Sequence, residues 1–426
     1  MNKTLALALA IIVPGMVIRF AGGAPLLRAA LLGLAVVGAS LLLTWAAEVA
    51  QLDLSPAVAI AGLALVAVLP EYVVGATFAL RGGHAFGRFG GACQSAAARA
   101  AGHSSPCHLA LANMMGANRI LIGVGWSVVV LVAWRRTRTR HGTLLRGVVL
   151  GRAHSVELSF LALASLWCLS LPFRHSVGLA DSAVLFAVFG GYAVRVLKAP
   201  HEEPELEGVA ARLGALPTRT RRAAAATLML IAAVTIFLCA DQFADALVAS
   251  GSVLGISDGF LVQWLAPLAS EAPELIVATV YAWRLRAAVG LGALVSSKVN
   301  QWTLLVGSLP LAFAVASSST HGLPLDASVR QEMALTAAQS VFGVGVLGNL
   351  EVSTAEAISL FGLFTTELIV GTIYPASRPV FSVAYVVLGV AILLIKRRDT
   401  VALLEDGFRT PYHQLGEPRS PDRLEP

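Results

Sequence analysis

Apolar runs of about twenty residues recur along the whole chain, and each is long enough to cross ~30 Å of hydrocarbon as a helix. In lipid every backbone N–H and C=O must be satisfied within the segment, so such runs are helices. The spacing predicts segments over 4–21, 27–50, 55–80, 108–133, 153–173, 178–197, 223–249, 256–283, 287–315, 331–348, 353–373 and 379–396. Charged residues make up 13% of the 426-residue chain, against about 25% in soluble domains. The expected fold is therefore an all-α polytopic membrane protein of about 12 transmembrane helices. The formal charge of +6 does not indicate nucleic acid, because the positive residues sit in short loops between apolar runs, where they act as topology signals.

Those loops set the sides. "RRTRTRH" (135–141), "TRTRR" (218–222), "RLR" (284–286) and "KRR" (396–398) share one side, the cytoplasmic one, and both termini join them there. The loop 81–107, with Arg81, Arg88 and Arg99, falls outside and mildly opposes the rule. The first run has the basic start and apolar stretch of a signal peptide, but no clean small-x-small site follows it and Arg19 interrupts its end. Retention and cleavage both stay open. The chain divides into an N-terminal hydrophobic segment (1–26), a first half (27–197), a polar cytoplasmic linker (198–222), a second half (223–373), a C-terminal helix (374–396) and a polar, proline-containing tail (397–426) expected to be disordered.

Two of the apolar runs contain what lipid penalises. "AAEVAQLDLSPAVAIAGLALVAVLPE" ends in Pro70-Glu71, and "ADALVASGSVLGISDGFLVQWLAPLASEAPE" ends in Pro273-Glu274. In each, a serine (Ser55, Ser257) precedes the glutamate by sixteen or seventeen residues, and a small-residue helix follows: "LANMMGANRILIGVGW" and "LGALVSSKVNQWTLLVG". The two Pro-Glu runs lie five crossings apart. An odd offset makes the copies antiparallel, an inverted repeat of the kind many secondary transporters use.

An interior proline strands the carbonyl four residues before it, here those of Val66 and Ala269. A charge at the bilayer centre costs at least ~2.5 kcal/mol, so a carboxylate beside freed carbonyls marks a cation site. Ser270 and Glu271 precede Glu274 by four and three residues and can share its helix face. The partner helices place Arg119 and Lys298 near mid-membrane. Against Glu71, Glu271 and Glu274 these leave one net negative charge. Each base then either compensates a carboxylate or, for Lys298, occupies the place of a bound cation. Asp241 and Asp245 in "CADQFADALVAS" read as helix-end or packing residues.

A Pro-Glu helix followed by a "GN..GSN..N"-like helix, twice and inverted, resembles the α-repeats of the calcium/cation antiporter superfamily, which includes the sodium/calcium exchangers. The resemblance spans 27–373 and implies two inverted five-helix repeats, plus one extra helix at each end, with cation sites between the repeats. It implies that Glu71 and Glu274 are the central acidic ligands. Ser270 matches the threonine of a G-T-S-x-P-E pattern, where the first repeat has Ala67, and Glu271 stands where the first repeat has Val68. Asn113 and Asn118 match the asparagines of the first partner helix, and Ser297 the serine of the second. Lys298 replaces that helix's asparagine, and Gln301 stands at a further ligand position that Leu121 fills in the first repeat.

The implied function is secondary active antiport of Na⁺ or Ca²⁺ against H⁺ or Na⁺ by alternating access in the cell membrane. The alternatives are Na⁺/H⁺ exchange without calcium and a passive cation channel. Ca²⁺ prefers 6–8 oxygens and this site is poor in them, so a proton or monovalent ion is an equally good passenger. No enzyme is expected: the histidines (His84, His103, His108, His141, His154, His175) are scattered, and neither an H-E-x-x-H, a nucleophile elbow nor a P-loop is present. No cofactor is expected, and the partners are inorganic cations and the bilayer. Between Glu71 and Asn113 the first copy carries 23 residues more than the second, a Gly/Ala/Ser-rich loop expected to be floppy. It holds Cys93 and Cys107, either a disulfide outside the cytoplasm or two free thiols.

Overall fold

The computed structural model describes residues 3–53, 69–142, 145–199, 206 and 208–416. Ser55, Val66, Ala67 and Val68 lie outside them. The described residues are mostly helical. In order run α1 (Lys3–Ala21), α2 (Pro25–Ala50), α3 (Leu69–Phe89), α4 (Pro106–Ile120), α5 (Ser127–His141), α6 (Ser155–Cys168), α7 (Leu179–Val196), α8 (Thr218–Leu254) and α9 (Asp258–Trp283). Then come α10 (Ala287–Asn300), α11 (Val306–Ser317), α12 (Ala327–Val346), α13 (Thr354–Ile373), α14 (Arg378–Ile395) and α15 (Arg397–Phe408). Among the described residues nine helices are long and apolar enough to cross a membrane. The Pro-Glu helices α3 and α9 fall outside that set, as does α12, which carries Glu332. Charge inside the helices is what excludes the last two.

Close approaches at small residues fix how the central helices run. A side chain at Gly83 would meet Ala316 and the Phe313 carbonyl, while Gly75 lies against Leu305 and Leu309, so α3 and α11 are parallel. Gly82 abuts Cys107 and Gly75 abuts Asn113, so α3 and α4 are antiparallel. Gly116 packs on the Gln263 carbonyl and Gly125 on Leu275, so α4–α5 and α9 are parallel. The two Pro-Glu helices therefore run in opposite directions. Glycine is required at 116 because any β-carbon would collide with the α9 backbone.

Two further features recur at matching places. Between α4 and α5 the helix passes through a π-helical stretch, Leu121–Trp126, and between α10 and α11 through another, Gln301–Leu305. Such bulges insert a residue into the hydrogen-bond ladder and are frequent at functional sites. Short strands cross between the halves as well. β1 (Gly147–Val149) pairs antiparallel with β4 (Glu351–Ser353), and β2 (Ser176–Val177) with β3 (Leu323–Pro324). Each pairs the exit of one half's partner helix with the entry to a later helix of the other half.

The main core gathers Phe78, Met114, Trp126, Leu294, Trp302, Phe313 and Met333. A second cluster, with Ile12, Leu42, Trp45, Leu228 and Ile236, joins α1, α2 and α8 at the side.

Two expectations are corrected. The 397–426 tail is not disordered over its first part: α15 is followed by a 3₁₀ turn, Tyr412–Gln414, with Leu403 and Leu415 buried. Gly407 packs on Ser155 and Ser159 of α6, and Arg152 clamps Asp406 through two hydrogen bonds. Residues 417–426 lie outside the described part. The 81–107 loop is not floppy either. α3 continues to Phe89, a short helix (Ala96–Ala100) is capped by Ser95, Ser105 caps α4, and Cys93 and Cys107 form a disulfide.

Candidate ion-binding site

Glu71 enters the interior two residues into the described part of α3, and Glu271 from the middle of α9; they are 2% and 0% exposed. Their carboxyl groups stand against one another as hydrogen-bonding partners. Gln301, at the start of the second π-helical stretch, donates its amide to Glu271 and also faces Glu71. Glu274 is one turn further along α9, half-buried, with Ser297 of α10 beside it and Glu271 as its charged neighbour. Four helical segments thus converge on three carboxylates.

Much of the oxygen here is unspent. Among the described residues Glu71 Oε2, Glu271 Oε2, Glu274 Oε1, Ser297 Oγ, Gln301 Oε1 and both polar atoms of Asn113 are buried without a hydrogen-bond partner. Orphaned buried polar atoms cost ~1–3 kcal/mol each, and several of these belong to the three glutamates and to the Ser297 and Gln301 beside them. No three His, Cys, Asp or Glu side chains among the described residues stand close enough to ligate one metal ion. A cation would take carboxylate oxygens from neighbouring glutamates together with amide and hydroxyl oxygens.

Other candidates are used differently. The Ser270 hydroxyl is turned back onto its own helix, donating to the Ala266 and Pro267 carbonyls at 3.3 and 3.2 Å. Pro273 lies inside α9 as expected, and a second proline, Pro267, lies inside it too. Pro267 frees the Gln263 carbonyl on which Gly116 packs. Pro70 is buried beside Glu71.

Asn118 is not a free ligand. Its Nδ2 donates to the Met114 carbonyl at 2.9 Å, and its Oδ1 accepts from Lys298 Nζ at 2.6 Å. Lys298 also reaches the Asn118 carbonyl at 3.1 Å and lies 4.5 Å from the centre of the Trp302 ring. It is fully buried and, among the described residues, forms no ion pair with Glu271 or Glu274. The expected direct contact with Glu271 or Glu274 is corrected accordingly, although Lys298 remains a charged neighbour of Glu271.

Arg119 does not compensate the central carboxylates. It is one residue beyond Asn118, about 100° around the helix, and so points away from the site. There it binds Glu332 of α12 at 2.7 Å and Glu367 of α13, with its guanidinium 4.8 Å from the centre of the Trp264 ring. Arg378 meets the other Glu332 oxygen at 3.0 Å, and Gln263 donates to Glu332 at 2.9 Å. Sequence reasoning missed this cluster, although "RQEMALT" and "FTTELIV" each place a glutamate within an apolar run. Asp241 and Asp245, expected as helix-end or packing residues, stand inside α8, largely exposed, and pair instead with Arg81 across the α3–α8 contact.

The geometry has a counterpart in known proteins. The sequence model described as "Sodium/calcium exchanger protein" matches residues 24–198 and 224–372, leaving out only the linker and the ends. The chain belongs to the sodium/calcium exchanger family. A crystal structure of the H⁺/Ca²⁺ exchanger CAX is 36% identical to this exchanger, covers 96% of it and 97% of itself, and superposes with a TM-score of 0.84. The Ca²⁺/H⁺ antiporter protein YfkE shares the fold at 11% identity, with coverage of 90% and 99% and a TM-score of 0.61. No curated protein sequence matches this exchanger. It is accordingly a multi-pass membrane transporter of inorganic cations.

Proposed function

We propose that this protein exchanges Ca²⁺ for H⁺ by alternating access at one central site made by Glu71, Glu271 and Glu274, with Asn113, Ser297 and Gln301 contributing neutral oxygens. The observation that carries the reading is the contact between the Glu71 and Glu271 carboxyls, fully removed from water and each with an unpartnered oxygen. Two ionised carboxylates cannot stand against each other in such a place without a positive charge between them. Either protons or a cation must supply it, and a site satisfied by either is an exchanger. The relationship to the H⁺/Ca²⁺ exchanger CAX over nearly the whole chain favours calcium and protons as the pair.

Alternating access is favoured by the opposite run of α3 and α9, the matched π-helical stretches and the crossed strand pairs. These suit two halves, 27–197 and 223–373, that move against each other about a fixed site. On this reading both termini are cytoplasmic and the disulfide loop is outside. The test is uptake of radiolabelled Ca²⁺ into sealed proteoliposomes under an imposed pH gradient, with and without a Na⁺ gradient. Uptake should follow the pH gradient and acidify the outside. Uptake that follows only the Na⁺ gradient would replace protons with sodium, and uptake needing no counter-ion would mean a pore.

A further inference from the structure

One arginine near the membrane surface lacks an anion. Arg330 stands four residues after the Asp326 cap of α12, half-buried, with its Nε buried and unpartnered. Among the described residues its guanidinium makes no hydrogen bond or ion pair. The acids flanking it in the sequence are committed elsewhere. Asp326 accepts from the Val329 amide at 2.8 Å, and Glu332 is shared by Arg119, Arg378 and Gln263. A cation this close to a helix N-terminus lies at the positive end of the dipole, where an anion is favoured instead.

Arg330 borders a groove of about 500 Å³. α12 is its floor, α14 one wall, and the end of α6 with the 3₁₀ turn Leu171–Phe173 the other. The hollow exists because the floor carries alanines, at 327, 334 and 338, between two walls of larger side chains. α12 and α14 do not close it, because they are pinned together above and below. At the surface end Arg378 reaches Glu332 at 3.0 Å and Ser328 at 3.5 Å. Deeper, a side chain at Gly345 would meet the Gly389 carbonyl, and one at Gly389 the Phe342 backbone. From Arg330 to Ala338 the groove runs about 12 Å along the helix, close to half of the ~30 Å hydrocarbon thickness. Its rim faces lipid: Phe173 is 87% exposed and Val383 63%. It opens on the side of the Cys93–Cys107 loop, since Cys107 and Arg99 border a common hollow with Asp326 and Val329 at the start of α12.

We propose that this groove binds one anionic phospholipid from the leaflet on the disulfide side. Its phosphate lies on Arg330, with Gln331 beside it, and one acyl chain lies along Ala334 and Ala338. The charge and the shape select this occupant together. A second copy of the chain would bring an apolar helix but no anion to Arg330, and a free phosphate would leave the apolar floor unfilled. A lipid supplies an anion at the surface and hydrocarbon below it. So seated, it braces α14 against α12, the helix that carries Glu332.

Native mass spectrometry of the purified full chain, titrated with dioleoyl phosphatidylglycerol or dioleoyl phosphatidylcholine, tests the site without reference to transport. The wild type should retain one phosphatidylglycerol in preference to phosphatidylcholine. Arg330→Gln should lower that affinity about fivefold, the weight of one arginine against an anionic lipid, and so erase the preference. Ala334→Leu fills the floor and should remove the retained lipid of either kind; Val383→Trp does so from the wall if Ala334→Leu fails to fold. Arg88→Gln, exposed on the same side but outside the groove, should change nothing. Equal retention of the two lipids by the wild type overturns the proposal, as does an undiminished preference in Arg330→Gln. An Arg88→Gln loss as large as that of Arg330→Gln would mean diffuse surface charge and overturns it as well. An Ala334→Leu protein that keeps its lipid but changes from dimer to monomer would give the groove to a second copy, and the lipid reading falls.

Discussion

Arg119 offers the sharpest quantitative test of the buried charge arrangement. Its guanidinium is 2% exposed and serves two carboxylates at once. Arg119→Met removes it at similar volume. Glu332 then keeps Arg378 at 3.0 Å and Gln263 at 2.9 Å and remains compensated. Glu367 keeps no hydrogen bond or ion pair among the described residues: its other oxygen is already unpartnered and it is 2% exposed. Removing one member of a buried pair costs about 3–5 kcal/mol because the other is left charged in a poor solvent. Most of that loss should arise at Glu367, so Glu367→Gln added to Arg119→Met should recover all but about 1–2 kcal/mol. Unfolding of the purified protein in detergent, titrated with SDS, gives the three free energies needed for the double-mutant cycle. An Arg119→Met protein within about 1 kcal/mol of wild type would refute the reasoning, as would a Glu367→Gln change that adds its own cost on top. A transport arm separates this cluster from the ion site. If the double mutant folds, its pH-driven Ca²⁺ uptake should persist, because the Arg119 cluster faces α12 and α13 and not the central carboxylates.

Glu71→Gln and Glu274→Gln should each reduce pH-driven Ca²⁺ uptake to background while the protein still inserts and purifies; wild-type flux in either would reject the site. An impermeant maleimide on intact cells should label Cys93 and Cys107 only after reduction, and Cys93→Ser should destabilise by up to ~3 kcal/mol, the chain-entropy value for a loop of about 15 residues. Labelling that requires a permeabilised membrane would reverse the topology. Asp53, after α2, is held by Arg221, with Arg222 beside it, and its carboxyl is pushed down to about 2. A lowered value means the attachment is complete above the ordinary carboxylate range and is lost only as pH falls through about 2. Hydrogen exchange at the α2–α8 junction should be unchanged in character between neutral pH and the mildly acidic range, whereas Asp53→Asn should loosen it throughout. Loosening of the wild type in that mildly acidic range would contradict the assignment.

The fold was legible where lipid leaves no choice. Twenty-residue apolar runs must be helices, and a Pro-Glu pair inside one must face protein, so α3 and α9 followed from the sequence; it pointed to Glu274 as the partner of Glu71, whereas Glu271 is the carboxyl that stands against it. What failed was direction around a helix axis. Asn118 and Arg119 were read together as neighbours of one site, yet adjacent residues on a helix point about 100° apart. Asn118 turns toward Lys298 and Arg119 toward α12 and α13. Counting every carboxylate within an apolar run, including Glu332 and Glu367, would have supplied Arg119 with its partners. The tail failed for another reason: averaging polarity over thirty residues hid "VALLEDGF", whose Leu403 packs inward while Asp406 meets Arg152. In the outer loop the ordering comes from capping serines and a disulfide, which composition does not register.

The asymmetry between the two copies has a physical logic of its own. At the place of Glu271 the first copy has Val68, and at the place of Gln301 it has Leu121. In the folded chain Gln301 donates its amide to Glu271, so the two polar residues of the second copy are partners of one another. A buried polar group that lacks such a partner costs ~1–3 kcal/mol. Leu121 instead packs fully buried in the core at the start of its π-helical stretch. The polar pair is thus present as a unit in one copy and absent as a unit in the other. That is why the site holds three carboxylates, an odd number in a repeated architecture. Lys298, standing in the second copy where the first has Asn118, is a further departure from symmetry, and in the folded chain the two meet: its ammonium nitrogen lies 2.6 Å from Asn118 Oδ1.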